Sequence, residues 1–271
     1  MSRSSGPIAC MTLDLEEDWC IPGDESPNPT FDHVDDYIAL IEQLDVPISV
    51  FVVGVTIENY PGIVERLRWE LDAEFHLHSY QHDMTKSYEF ETEIQRGVAA
   101  FESHFGEPPR GYRAPQGNIV QGEWAELERA GFEFSSSVFP SYRPGVYNNI
   151  RAPLTPYVPT EVDRLLEIPF AAVPGLRIPI SQNYLKLLGR PYLSLLKHVP
   201  LPTPLVYDSH LQDFWRTEFH DHLPQPKRTL MTRNMDRSVD ILTEFVSTLR
   251  RNGYTFEKVS DLYEPVAYAW T

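Results

Sequence analysis

Apolar and polar positions along the chain alternate between two rhythms. Residues 8–15 form an apolar run that ends in acidic side chains, the pattern of a buried strand. Val34, Tyr37, Ile38, Ile41 and Leu44 then recur at helical spacing. Residues 48–53 are β-branched and aromatic, which predicts a second buried strand. Pro61 opens a helix to about residue 71, as proline in a first turn allows. A short strand is predicted over 73–77, a helix over 90–105 stopped by Gly106 and the pair Pro108-Pro109, and a brief strand over 111–114. A helix over 123–130 ends at Gly131, and a strand follows over 132–138.

Between Pro140 and Pro204 prolines crowd the chain and the helical rhythm weakens. Short strands are expected over 165–170 and 176–180, and a short helix over 183–188. The stretch reads as a long excursion over a barrel mouth, where substrate loops tend to lie. Strand character returns over 204–209. Residues 236–251 form an amphipathic helix before Gly253, and 254–259 the last strand. Strand and helix alternating in this way predict a parallel sheet with crossover helices, closed or nearly closed.

Length and charge narrow the picture. With 271 residues, 42% of them hydrophobic, the chain can bury a large core, and a single domain over 1–271 is expected. The net charge is 23 − 39 = −16, which makes nucleic acid and anionic membrane surfaces poor partners. Such acidity serves solubility, and with arginine far outnumbering lysine it also fits adaptation to high salt. No apolar run reaches membrane-spanning length, and residues 1–7 lack the apolar core of a secretory signal, so a cytoplasmic protein is expected. Two cysteines, Cys10 and Cys20, do not make a disulfide framework.

The candidate chemistry is concentrated in His76-Leu77-His78-Ser79-Tyr80-Gln81-His82. His78 and His82 are four apart, and on a helical turn they would share one face and could aim at one metal ion. An isolated HxxxH also occurs on exposed loops. Carboxylates to complete a ligand set stand at Asp14, Glu16, Glu17 and Asp18. Asp14 and Glu16, His78 and His82, Arg113, and His210 all follow predicted strand ends, where barrel enzymes gather their catalytic groups.

An acidic strand end, then His78-Ser79-x-x-His82, then Arg113-Ala114-Pro115-Gln116-Gly117, then Ser135-Ser136-Ser137, then Ser209-His210-Leu211 occur in that order. This ordered set resembles the polysaccharide deacetylase family (the NodB-homology, carbohydrate esterase family 4 enzymes). The resemblance implies an α/β distorted (β/α)7 barrel that removes N-acetyl groups from amino sugars of a glycan with a divalent metal, zinc first, cobalt, manganese or nickel otherwise. It implies that His78 and His82 bind the metal with Glu16, with Glu17 or Asp18 as alternatives. It further implies that Asp14 is the base, that Arg113 orients it, and that His210 is the general acid. Pro115 shapes the arginine loop, and Tyr112, Trp19 and Trp215 are candidates for substrate contact beside the motifs. Ser135 stands near the place where the family often carries an aspartate that tunes the late histidine. Asp208 or Asp213 could supply that charge; without one, the alkaline limb of activity would fall early. A small-molecule amidase on the same barrel and a non-catalytic carbohydrate-binding protein are the competing readings.

Overall fold

The computed structural model describes residues 6–21 and 28–263. Strand β1 (Ile8–Leu15) is the hub of the sheet, and its alternation divides its side chains between two environments. Ala9, Met11, Leu13 and Leu15 enter the large apolar layer between sheet and helices, while Cys10 packs inside the barrel with Phe51, Phe134 and Phe170. The same period of two turns Thr12 and Asp14 inward, with Asp14 nearer the barrel mouth.

Helix α1 (Val34–Leu44) buries Val34, Tyr37, Ile38, Ile41 and Leu44, as its spacing requires. Strand β2 (Ile48–Val52) runs parallel to β1. Helices α2 (Gly54–Asn59) and α3 (Pro61–Glu70) lead to β3 (Ala73–Leu77), parallel to β2. Helix α4 (Phe90–Phe105), strand β4 (Gly111–Tyr112), helix α5 (Glu123–Arg129) and strand β5 (Phe134–Ser135) continue the parallel series.

A two-stranded antiparallel hairpin, β6 (Tyr142–Arg143) and β7 (Tyr147–Asn148), stands off the sheet. Strand β8 (Leu166–Glu167) returns to pair with β5. Helix α6 (Gln182–Leu196) precedes β9 (Leu205–Tyr207), which pairs in parallel with β1. Short helices α7 (Glu218–His222) and α8 (Lys227–Thr232) and the long α9 (Ser238–Arg251) come next, and β10 (Thr255–Phe256) pairs with the start of β1. The Ala171 N–H donates to the Val206 carbonyl at 2.9 Å, carrying the run after β8 across to β9. The parallel strands β1–β5, β8 and β9 thereby curl into the distorted barrel that the resemblance implies.

The middle region departs from the expected elements in instructive ways. Residues 176–180 form no strand: Val173 donates to the Ile178 carbonyl and Arg177 to the Val173 carbonyl, which closes a tight turn. Pro174 and Pro179 have no N–H to give to a ladder. The expected helix over 183–188 runs on to Leu196 after a break at Gly189, whose φ is 62° and ψ −147°. Helices α2, α7 and α8 and the hairpin have no clear rhythm in the sequence, and packing forms them.

Close approach of β4 and β5 depends on Gly111. A Cβ built there would stand 2.3 Å from the Phe134 ring, which is fully buried and has no room to swing away. Gly111→Ala is expected to destabilise the fold by about 1–3 kcal/mol, the usual cost of overpacking. Differential scanning calorimetry would show this as a lowered Tm. An unchanged Tm would mean that β5 yields freely.

Candidate active site

The ends of successive parallel strands converge at one mouth of the barrel. Asp14 closes β1 there, and its N–H donates to the Ser209 carbonyl at 2.9 Å, which sets β1 beside His210. Arg113 follows β4, anchored by its N–H on the Leu77 carbonyl at 2.9 Å. The Arg113 side chain is completely buried and meets Asp14 Oδ1 at 2.5 Å. The guanidinium also donates to Thr12 Oγ1 at 2.8 Å, the Ser136 carbonyl at 2.9 Å and Ser136 Oγ at 3.1 Å. Phe51 and Phe170 stack on it at 3.8 and 4.3 Å. One carboxylate oxygen of Asp14 is thus fixed by a cation, and the other, Oδ2, faces His78 Nε2 at 3.6 Å and His210 Nε2 at 3.9 Å.

Glu16, His78 and His82 offer ligand atoms that all lie within 4.8 Å of one another. His78 Nδ1 sits 2.9 Å from the Arg113 carbonyl. A carbonyl only accepts, so Nδ1 carries the proton and Nε2 presents its lone pair to the cluster. Burial pushes the His78 imidazole down to about 4, against the pull of Asp14, so it is neutral at neutral pH as a metal ligand must be. Glu16 Oε2 is buried, accepts no hydrogen bond, and lies 2.7 Å from His82 Nε2. Gln212 Nε2 donates to the other oxygen, Oε1, at 2.7 Å. Burial alone would raise the Glu16 carboxyl, but His82 outweighs it and holds Glu16 low. An unsatisfied buried carboxylate oxygen beside two imidazoles fits a divalent cation such as zinc.

The two histidines do not share a helix face. His78 follows β3 and His82 lies in a loop, where Ser79 and His82 take positive φ values of 65° and 56°. The Ser79 hydroxyl and the Tyr80 and Gln81 N–H groups all converge on Glu93 Oε1 at 2.6–2.9 Å, and that anchor curls the loop back. Strand alternation explains His78: with His76 it points inward from β3, and His76 remains in the core between Phe51 and Phe134. Of the alternative carboxylates, Asp18 is bound to Thr30 through its N–H at 3.0 Å and hydroxyl at 2.6 Å, and Glu17 accepts from Asn59. Glu16 is the carboxylate that joins the histidines.

Across from them, His210 Nδ1 meets Asp213 Oδ2 at 3.2 Å. Burial would lower the His210 imidazole, but the carboxylates of Asp208 and Asp213 outweigh burial and raise it well above the ordinary value. Asp213 Oδ1 faces Lys186 Nζ at 3.3 Å, and both side chains are buried. Burial favours a neutral Asp213; Lys186 first, then His210, overcome it and hold the carboxyl below its usual range. Ser135 does not take this part, because its hydroxyl bonds Ser137 Oγ at 2.8 Å. The charge expected beside His210 comes from Asp208 and Asp213, so the early fall of the alkaline limb is not expected. Lys186, on α6, was not foreseen, since nothing local marks a lysine 24 residues from the histidine it supports.

A cavity of about 300 Å³ opens above these groups, with Asp14, Glu16, His82 and His210 in its floor. Trp19 lines it, edge-on to Phe219 at 5.3 Å. Gln116 and Gly117 line it too, whereas Pro115 is buried behind them at the start of the turn. Gly117 has φ 64°, and a Cβ there would meet Phe139 at 2.6 Å. Tyr112 is fully buried in the core against Phe90 and Phe132, and Trp215 stacks on His33 at 5.1 Å. These two aromatic residues therefore serve packing, away from the cavity. Cys20 donates to the Phe219 carbonyl, and burial pushes its thiol up to about 11, unlike a nucleophile.

The sequence pattern of the polysaccharide deacetylase family matches residues 24–135, a span that holds His78, His82 and Arg113. No protein of curated function matches the chain by sequence. Among solved structures, a putative polysaccharide deacetylase from Mycobacterium smegmatis aligns with a TM-score of 0.63 at 18% identity, over 99% of this chain and 93% of that one. A polysaccharide deacetylase from Bacillus cereus gives 0.52 at 15% identity, over 93% and 91%. A CE4 family pseudoenzyme from Bacillus anthracis gives 0.56 at 10% identity, over 96% of this chain and 66% of that one. Likeness at these identities concerns the fold.

Asp213 sets the His210 imidazole in a way that can be measured directly. Asp213→Asn removes the anion and keeps the shape, and an adjacent anion raises a histidine pKa. The His210 pKa is therefore expected to fall by about one unit or more, losing its proton at lower pH than in the native protein. Imidazole NMR titration checks this. An unchanged value would assign the shift to Asp208 alone.

Proposed function

We propose that this chain, whose residues 24–135 match the polysaccharide deacetylase family pattern, hydrolyses the N-acetyl group of an amino-sugar unit in a glycan with the help of a divalent cation, most suitably zinc. One observation carries the reading: the convergence of Glu16, His78 and His82 on a point flanked by Asp14 and His210. Glu16, His78 and His82 would hold the cation, which when bound lowers the pKa of a water and polarises an acyl oxygen. Asp14 takes the proton of the attacking water, with Arg113 holding the carboxylate in a single orientation. His210, kept protonated by Asp208 and Asp213, delivers a proton to the departing amine. The complete set speaks for an enzyme over a pseudoenzyme of the same fold.

The cavity bears on the size of the substrate. About 300 Å³ is at the small end of ligand pockets, which run to ~1,000 Å³. Hairpin β6–β7, α6 and α8 supply Tyr147, Tyr184 and Leu230 to its walls. A pocket of this volume holds about a single sugar unit, which favours a small glycan or a chain end as the unit bound.

Metal analysis joined to acetate release from a panel of N-acetylated glycans tests the reading, with Zn²⁺, Co²⁺, Mn²⁺ or Ni²⁺ restored to metal-free protein. Asp14→Asn is expected to abolish hydrolysis and keep the metal, while Glu16→Gln loses the metal. The opposite pair of results would exchange the two roles, and no acetate from any glycan would remove the deacetylase reading.

His210→Ala is expected to lower kcat by roughly 10²–10⁴-fold with little change in KM, because proton delivery matters only in the transition state. Steady-state kinetics checks the split. A change confined to KM would make His210 a binding residue.

A further inference from the structure

The cavity floor holds the carboxyl groups of Asp14, Glu16 and Asp208, but its wall carries two cations, Arg143 from the hairpin and Lys227 from α8. The whole chain has 39 acidic against 23 basic side chains, so a cation here has no shortage of possible partners. Several cations elsewhere pair, Lys86 with Glu123, Lys197 with Glu244, Lys258 with Asp72 and Arg66 with Asp35 and Glu70, while other described cations on the open surface do not, so the distinction of these two is their place in the cavity wall. Among the described residues neither Arg143 nor Lys227 has a carboxylate within ion-pair distance. Lys227 Nζ lies instead over the Trp19 ring at 3.8 Å, half-buried, with its ammonium beside the cavity.

The exposed Arg143 and the half-buried Lys227 place two like charges on one side of the cavity, a pair that an anion seated between them would relieve. The Lys227 amine feels this directly. Burial first and Arg143 second push it down, against the pull of Glu16. Trp19 offers a flat apolar face at the same place, the surface on which a sugar ring packs, so sugar and anion would be held side by side.

We propose that Arg143 and Lys227 form an anion subsite, and that the substrate is an N-acetylated amino sugar that itself bears an oxyanion, a phosphate ester or a carboxylate. The proposal deepens the deacetylase reading and rests on it for the identity of the amide; the charge requirement comes from the cavity wall. An arginine fork and a lysine ammonium both suit an oxyanion, the first by paired hydrogen bonds and the second as a point charge.

Calorimetric binding to the zinc-loaded protein tests this with three probes: N-acetylglucosamine, N-acetylglucosamine 1-phosphate and N-acetylmuramic acid, the last carrying a carboxylate. At least one charged sugar is expected to bind tenfold or more tighter than the neutral one, and the better of the two identifies the oxyanion. In the double variant Arg143→Gln/Lys227→Gln that preference is expected to drop to less than threefold. Lys197→Gln, which removes a distant charge, is expected to keep it, and so separates the subsite from general electrostatics. Equal binding of all three sugars, or a preference that survives the double variant, would overturn the proposal; the second outcome would place the oxyanion on the metal instead. Acetate release from the same probes is read separately. A preference without acetate from any probe or glycan would leave the anion subsite standing and remove the deacetylase reading. Acetate released without a preference would do the reverse.

Discussion

The ion pair between Arg113 and Asp14 is the contact on which the rest of the site depends. A guanidinium with no exposure, stacked between two phenylalanines, is stable only with its donors satisfied. Thr12, Asp14 and Ser136 satisfy them, and in doing so tie β1 to the residues that follow β4 and β5. Removing one partner of such a pair typically costs about 3–5 kcal/mol, because a buried charge is left behind. The pair thus fixes the spacing of three strand ends and the direction of the one carboxylate oxygen that faces the histidines.

Charge is graded across the mouth of the barrel. On one side His78 is kept neutral by burial, suited to giving a lone pair. On the other, His210 is kept protonated by the carboxylates around it, suited to giving a proton. Two imidazoles on opposite sides of one carboxylate are driven to opposite protonation states by what surrounds each: burial around the first, the carboxylates of Asp208 and Asp213 around the second. Separation of two like groups by environment is how one small site keeps one imidazole neutral and another protonated.

Much of this was legible in the residues. The alternation in β1 and the helical spacing of α1 and α4 are local signals, and the structure follows them nearly to the residue. The strand-end positions of Asp14, His78, Arg113 and His210 were legible too, since a parallel barrel brings strand ends together. The helical reading of His78 and His82 failed because a spacing of four also fits a curled loop, and Glu93, which curls it, is 11 residues beyond His82. Lys186, Arg143 and Lys227 were not legible. Their positions come from packing of α6, the hairpin and α8 over the mouth, and no short-range pattern encodes that. Tyr112 and Trp215 sit next to motifs in the chain, yet their side chains point to the core, which adjacency in sequence does not reveal.

The pairing of β1 has a consequence in time. Its neighbours include β9 and β10, so residues near position 9 wait for partners near positions 205 and 256. Contacts so distant in sequence are slow to form, and a chain emerging from its N-terminus acquires them last. Asp14 cannot take its place beside His210 until the chain has been made past residue 210. Chains shorter than this would therefore hold the pieces of the site without its geometry.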